Sequence, residues 1–125
     1  MVNRKQKIGK WGEGLAATYL EKKGYQILDQ NVYTTYGEID IIALQVIDSE
    51  EYLVFVEVKT RTTLKFGNPE DSITWRKKEH LVSAIESYLQ DHEELEYPWR
   101  VDVIAIQKLS AENPPNITHF ENIFS

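Results

Sequence analysis

The chain has 125 residues, 42% hydrophobic and 27% charged, with a net charge of −6 and no cysteine. A chain of this length buries about two-thirds of its unfolded surface, enough for one core without staples, and this apolar-to-charged balance excludes wholesale disorder and a membrane span. The missing thiols exclude a disulfide framework and a thiolate metal site, and the basic residues 1–10 lack the apolar run of a secretory signal, so the expectation is one cytoplasmic domain with no membrane partner.

Ile8, Trp11, Leu15, Ala16 and Tyr19 recur at helical spacing over residues 5–23, and Gly24 supplies a C-terminal stop. Residues 25–33 are β-rich at both ends. A turn through Thr34, Thr35, Tyr36 and Gly37 leads into the alternating segment 38–44, and an acidic loop at 48–51 separates that segment from the Val-rich and aromatic residues 52–60. These read as three strands, the second and third forming an antiparallel hairpin. Asn68 and Pro69, with Glu70 and Asp71, have the composition of a helix N-terminus, and Thr74 is a second candidate cap. Leu81, Val82, Ile85, Tyr88 and Leu89 share one helical stripe that runs to about Asp91. Pro98 opens a strand over residues 99–106, the polar stretch 110–116 is a loop, and residues 117–121 suit a short edge strand. The order α-β-β-β-α-β predicts an α/β sandwich, with Trp11 in its core.

A negative net charge by itself argues against a nucleic-acid partner, because phosphate binding leaves a basic footprint. The distribution qualifies that argument. Arg4, Lys5, Lys7 and Lys10 crowd the N-terminus, and Lys59, Arg61, Lys65, Arg76, Lys77 and Lys78 form a second basic stretch, while Glu86, Asp91, Glu93, Glu94 and Glu96 make an acidic run. Simple solubility is the alternative reading of each cluster.

Side chains alternate along a strand, so each strand divides into two faces. In residues 52–61 one face carries Tyr52, Val54, Val56 and Val58; the other carries Leu53 and Phe55, then Glu57, Lys59 and Arg61. In residues 38–44 one face is Ile39, Ile41 and Ala43, and the other starts with Glu38 and Asp40 before Ile42 and Leu44. In an antiparallel hairpin the charged start of one strand lies beside the charged end of the other. A register with Leu44 opposite Leu53 sets Asp40 opposite Glu57. Two facing carboxylates call for a cation between them, and Mg²⁺ or Mn²⁺ needs only one or two carboxylates plus waters and phosphate oxygens. Lys59, on the side of Glu57, is suited to orient the attacking water and to steady charge growing on a phosphoryl group. The competing reading is a surface ion pair between Glu57 and Lys59.

Asp40 followed by Glu57-Val58-Lys59 at the end of the next strand resembles the Asp…Glu-x-Lys signature of the restriction-endonuclease-like, or PD-(D/E)xK, nuclease superfamily. A longer set resembles the YraN family, which is similar to archaeal Holliday-junction resolvases: Gly9-Lys10-Trp11-Gly12-Glu13, Gly24-Tyr25, Asn31, Gly37 through Ala43, Phe55 through Arg61, and Arg100-Val101-Asp102. Ile39 stands where many superfamily members have proline, which is not a ligand. The resemblance implies a three-layer α/β/α sandwich around a mixed sheet. It implies Asp40, Glu57, Glu13 and the backbone carbonyl of Val58 as metal ligands, with Lys59 catalytic. Glu13 also lies on the helix edge shared with Ala16, Ala17 and Leu20, beside the apolar stripe; an exposed helix glutamate is its alternative role.

Arg61, Lys77 and Lys10 are candidates for contact with nucleic-acid phosphates. Arg100 and Asp102 share a strand face and are expected to form a structural ion pair. His80, His92 and His119 have no metal-ligand spacing among themselves, and Trp75 and Trp99 are unassigned. The resulting expectation is an Mg²⁺- or Mn²⁺-dependent endonuclease acting on DNA, at branched or repair intermediates, working as a homodimer because one site severs one strand. The alternatives are a non-catalytic nucleic-acid-binding or partner-recruiting module on the same fold, and a metal phosphoesterase for smaller substrates.

Overall fold

In the computed structural model, residues 3–62 and 75–124 are described; the expected helix start at residues 68–71 and the cap Thr74 lie outside them. Helix α1 is Arg4–Lys22, followed by strands β1 Gln26–Thr34, β2 Gly37–Ile47 and β3 Glu50–Arg61. Helix α2, Trp75–Gln90, leads to strands β4 Trp99–Gln107 and β5 Asn116–Phe120. The fifth strand is the short edge strand expected at residues 117–121, and it adds one element to the order α-β-β-β-α-β.

Local signals account for the ends of α1. Asn3 Oδ1 accepts the Gln6 N–H at 2.8 Å while Gln6 Oε1 accepts the Asn3 N–H at 3.1 Å, a reciprocal capping box. At the other end Gly24 takes φ +93°, its N–H reaches the Glu21 carbonyl, and the Tyr25 N–H reaches the Leu20 carbonyl, both at 3.0 Å. That pair of bonds is the Schellman closure, which requires a left-handed residue at the glycine position. Between β2 and β3 only Asp48 and Ser49 intervene, both with positive φ (51° and 70°), as a two-residue hairpin turn of matching twist demands. The acidic residues Glu50 and Glu51 therefore belong to β3 and not to a loop.

The strands form one sheet in the order β1-β2-β3-β4-β5, antiparallel except for the parallel β3–β4 pair. The chain crosses over between those two strands by way of α2. One face of the sheet packs Ile41, Ala43, Val54, Val56, Ile104 and Ile106 against Ala16, Ala17 and Leu20 of α1. The other packs Ile39, Ile42, Leu53, Phe55 and Val101 against Ala84, Ile85 and Tyr88 of α2. Helices thus cover both faces, giving the three-layer sandwich with a mixed central sheet. Phe55, wholly buried, meets Tyr88 and Trp99 edge to face at centroid distances of 6.1 and 5.7 Å and fixes α2 to the sheet. Burial of one such ring contributes about 1.5–3 kcal/mol.

Two expectations about packing are corrected. Trp11 is 39% exposed, because the face of α1 that meets the sheet is centred on Gly12, Ala16, Ala17 and Leu20. Ile39 packs on the α2 side with Ile42, not on the α1 side with Ile41 and Ala43. The strict alternation breaks at the intervening Asp40. Between the Gln30–Ile41 and Val32–Ile39 pairs of the β1–β2 ladder stands Asn31, a left-handed residue with φ +52°.

Candidate active site

The β2–β3 register places Leu44 opposite Leu53 and continues to Ile41 opposite Val56. Beyond that pair the strands separate, and the Asp40 side chain fills the gap: its Oδ2 accepts the Val58 N–H at 2.8 Å. A carboxylate has thereby taken the place of a backbone acceptor at the mouth of the hairpin.

Helix α1 supplies the second acid. It crosses β3 where Gly12 faces Thr60, so closely that a β-carbon on Gly12 would collide with the Thr60 side chain. The next residue, Glu13, is carried to the mouth of the hairpin, where its carboxylate joins those of Glu38 and Asp40, each offering an oxygen within 4.8 Å of the others. Asn31, with its amide nitrogen turned toward the acids, donates to Glu13 Oε1 at 3.0 Å and Glu38 Oε1 at 2.7 Å. The left-handed residue thus bridges two of the carboxylates.

Glu57 does not belong to this closest trio. Its Oε1 is 3.2 Å from Lys59 Nζ, both side chains being largely covered. Its charge still acts on the trio. Burial, then the Glu57 charge, push the Asp40 carboxyl up to about 8; Glu13 and Glu38 add to the rise, and the Val58 N–H opposes it. Burial and neighbouring acids also raise Glu13 and Glu38, while Lys10 favours their ionised forms. A set of acids that resist ionising together is a set whose charges a cation would relieve.

A cleft of about 800 Å³ opens over the group, lined by Glu13, Asp40, Glu57, Val58, Lys59 and Arg61, with Arg4 and Lys5 from the start of α1. Six of the sequence-predicted residues therefore meet in one cavity. Lys10 is not among its lining residues, and Lys77 lines a neighbouring pocket that shares Glu57 and Lys59 with the cleft. Glu38, expected at the charged start of β2 but not as a ligand, is a member of the trio. Its position two residues before Asp40 on the same strand was the signal that could have found it.

Arg100 and Asp102 form the expected ion pair, Arg100 Nε donating to Asp102 Oδ1 at 3.0 Å. Asp102, fully buried, also accepts from His119 Nε2 at 2.7 Å and from the Asn122 N–H at 2.9 Å. His119 Nδ1 lies 3.2 Å from the Tyr19 hydroxyl, so the network ties β4 and β5 to α1. Asp102, His119 and Glu121 also have the proximity of a metal-ligand set, but the Asp102 oxygens are already committed to these donors.

A family profile described as "Uncharacterised protein family UPF0102" matches residues 12–106, a span that includes every acid of the cleft. A UPF0102 protein of Dehalococcoides mccartyi is 41% identical over 114 residues, covering 91% of this chain and 90% of its own length. A UPF0102 protein of Syntrophomonas wolfei is 40% identical over 119 residues, covering 95% and 98% respectively. One from Thermodesulfovibrio yellowstonii is 44% identical over 117 residues, covering 94% and 95%. No helix among the described residues is long and apolar enough to cross a membrane.

Proposed function

The chain belongs to the UPF0102 family, and from that premise we propose that it is a metal-dependent endonuclease of the restriction-endonuclease-like kind, hydrolysing DNA phosphodiester bonds at branched or repair intermediates. The observation that carries this reading is the convergence of Glu13, Glu38 and Asp40 within 4.8 Å beside the Glu57–Lys59 pair, at the edge of a cleft that Glu13 and Asp40 line together with Arg4, Lys5 and Arg61.

The donor set suits a hard divalent cation such as Mg²⁺ or Mn²⁺, being made of carboxylate oxygens with no thiolate or imidazole among them. Asp40 would be the central ligand, with Glu13 and Glu57 on either side, the Val58 carbonyl as a backbone contribution and Glu38 as a further carboxylate. When bound, the cation supplies neutralisation of the phosphate charge and acidification of water. Arg4, Lys5 and Arg61 hold the phosphodiester backbone along the cleft. Lys59 aligns the attacking water with its ammonium group and stabilises the extra negative charge on the phosphoryl oxygens. Glu57 holds Lys59 Nζ at the cleft through their ion pair. Asn31 keeps Glu13 and Glu38 from swinging apart.

The net charge of −6 favours one second reading, a module that recruits a partner or binds nucleic acid without turnover. Incubation of the purified protein with labelled duplex, single-stranded and four-way-junction DNA, with and without Mn²⁺, separates the two. Cleavage that requires Mn²⁺ and disappears in Glu57→Ala supports the nuclease; retained binding with no product under any condition supports the module.

A further inference from the structure

The pocket on the other side of the Glu57–Lys59 pair has features that the hydrolytic centre does not use. It measures about 240 Å³ and is lined by Tyr36, Gly37, Glu38, Glu57, Lys59, Lys77, His80, Leu81 and Ala84. It is therefore smaller than the roughly 300–1,000 Å³ cavities that enclose drug-sized ligands. A single planar ring system is the kind of group it admits. Leu81 and Ala84 of α2 give it an apolar floor, and Tyr36 stands at its rim with 53% of its surface exposed.

Tyr36 is held there by the geometry of the β1–β2 turn. Thr34 Oγ1 donates to the Gly37 carbonyl at 2.8 Å and accepts the Tyr36 N–H at 3.1 Å. Gly37 takes φ +139°, a backbone state that side-chain-bearing residues rarely adopt. A staple of this kind presents an aromatic ring to solvent on a fixed backbone, where burial gives no reason for it. Tyr33, 75% exposed, flanks the same turn.

We propose that this pocket is a nucleobase subsite, in which an unpaired base next to the scissile phosphate stacks on Tyr36 above the Leu81–Ala84 floor. The inference rests on the nuclease reading of the adjoining cleft and deepens it by naming the substrate class. Phosphates follow the basic cleft, and the base turned away from them enters the second opening, with Glu57 and Lys59 forming the wall between the two. A base paired in a continuous duplex cannot leave its stack to enter without loss of its pairing, whereas a base in a single-stranded arm or at a branch point enters freely. Stacking is tolerant of base identity, so the subsite selects structure and not sequence.

The test is fluorescence anisotropy in Ca²⁺, which permits binding in most metal nuclease sites without turnover. The probes are a blunt duplex and the same duplex extended by a short single-stranded arm, and the proteins are the wild type, Tyr36→Ala and Tyr36→Phe. One stacked base predicts a preference of the wild type for the armed probe of about ten-fold or more. Tyr36→Phe retains that preference and Tyr36→Ala loses it. Equal affinity of the wild type for both probes, or a preference that survives Tyr36→Ala, overturns the subsite. Far-ultraviolet circular dichroism melts identify a misfolded variant, and Tyr36→Phe, which keeps the ring, shows whether the loss belongs to stacking. Cleavage in Mn²⁺ is scored separately. Tyr36-dependent arm preference without cleavage leaves the subsite standing and sinks the hydrolytic reading; cleavage without Tyr36 dependence does the reverse.

Discussion

The carboxylate of Asp40 accepts the backbone N–H of Val58 at 2.8 Å, so an acid that burial and neighbouring charges press toward protonation is held in place by the strand it faces. This contact joins the fold to the chemistry. It closes the open end of the β2–β3 hairpin and holds the Asp40 carboxylate beside those of Glu13 and Glu38.

An acid whose folded-state value is raised destabilises the folded state at any pH above its ordinary value, and the penalty grows until the folded-state value is passed. For Asp40 that window runs from 3.8 to about 8. Asp40→Asn keeps an acceptor for Val58 and removes the charge. It is expected to raise metal-free stability by about 1–3 kcal/mol near neutral pH, and to flatten the decline of the wild type as pH rises. Urea unfolding in chelator at several pH values measures both. An Asp40→Asn protein less stable than the wild type at every pH would falsify the assignment of strain to this carboxyl.

Gly12 sits where α1 touches β3, and a methyl group there has no room beside Thr60. Gly12→Ala is expected to destabilise the protein by about 1–3 kcal/mol through overpacking, despite the better helix propensity of alanine. It also displaces Glu13, so metal affinity falls with stability. Thr60→Ala in the same chain should restore part of both losses, and a double-mutant cycle by thermal denaturation and Mn²⁺ titration tests that coupling.

Burial pushes the Asp102 carboxyl upward, yet the hydrogen bonds from His119, Arg100 and the Asn122 N–H outweigh it and hold the group below the ordinary carboxylate range. Arg100 in turn bonds the Tyr25 hydroxyl and Glu121, and His119 the Tyr19 hydroxyl. A lowered acid contributes stability that is present above its unfolded value of 3.8 and is lost as pH falls toward the lower folded value. Asp102→Ala should therefore cost about 3–5 kcal/mol at neutral pH, where it removes the fully buried partner of Arg100 and His119. The difference from the wild type should shrink in strong acid. Stability curves of the two proteins against pH, measured by denaturant, give the comparison.

Lys59 and Glu57 divide the proposed chemistry unequally. Lys59→Met should leave Mn²⁺ uptake close to that of the wild type while lowering the single-turnover cleavage rate by about 10²-fold or more, since its ammonium acts on the reacting groups and not on the cation. Glu57→Gln should weaken both. Equal loss of metal affinity in the two variants would contradict this division.

Much of this site could be read from alternation. The hairpin register with Leu44 opposite Leu53, the charged ends of β2 and β3, and the stop at Gly24 all follow from residue pattern, because period-two faces and left-handed glycine are local physics. The face of Ile39 did not follow. Ile39 lies beyond Ile41–Val56, the last pair of the β2–β3 ladder, and where a ladder ends depends on the partner strand and not on the pattern around Ile39 itself. Trp11 was misread because helical spacing locates a stripe but not its centre, which the small residues Gly12, Ala16 and Ala17 set by close approach. Glu38 shares a strand face with Asp40, but only the arrival of α1 reveals that both meet Glu13.

Glu13, Glu38, Asp40 and Glu57 are proposed to hold a divalent cation together. Isothermal titration of the metal-free protein with Mn²⁺, repeated on Asp40→Asn and Glu13→Gln, tests it most directly. Saturable uptake is expected for the wild type, abolished in Asp40→Asn and weakened in Glu13→Gln. Absence of Mn²⁺ binding to the wild type, or binding undiminished in Asp40→Asn, would contradict it.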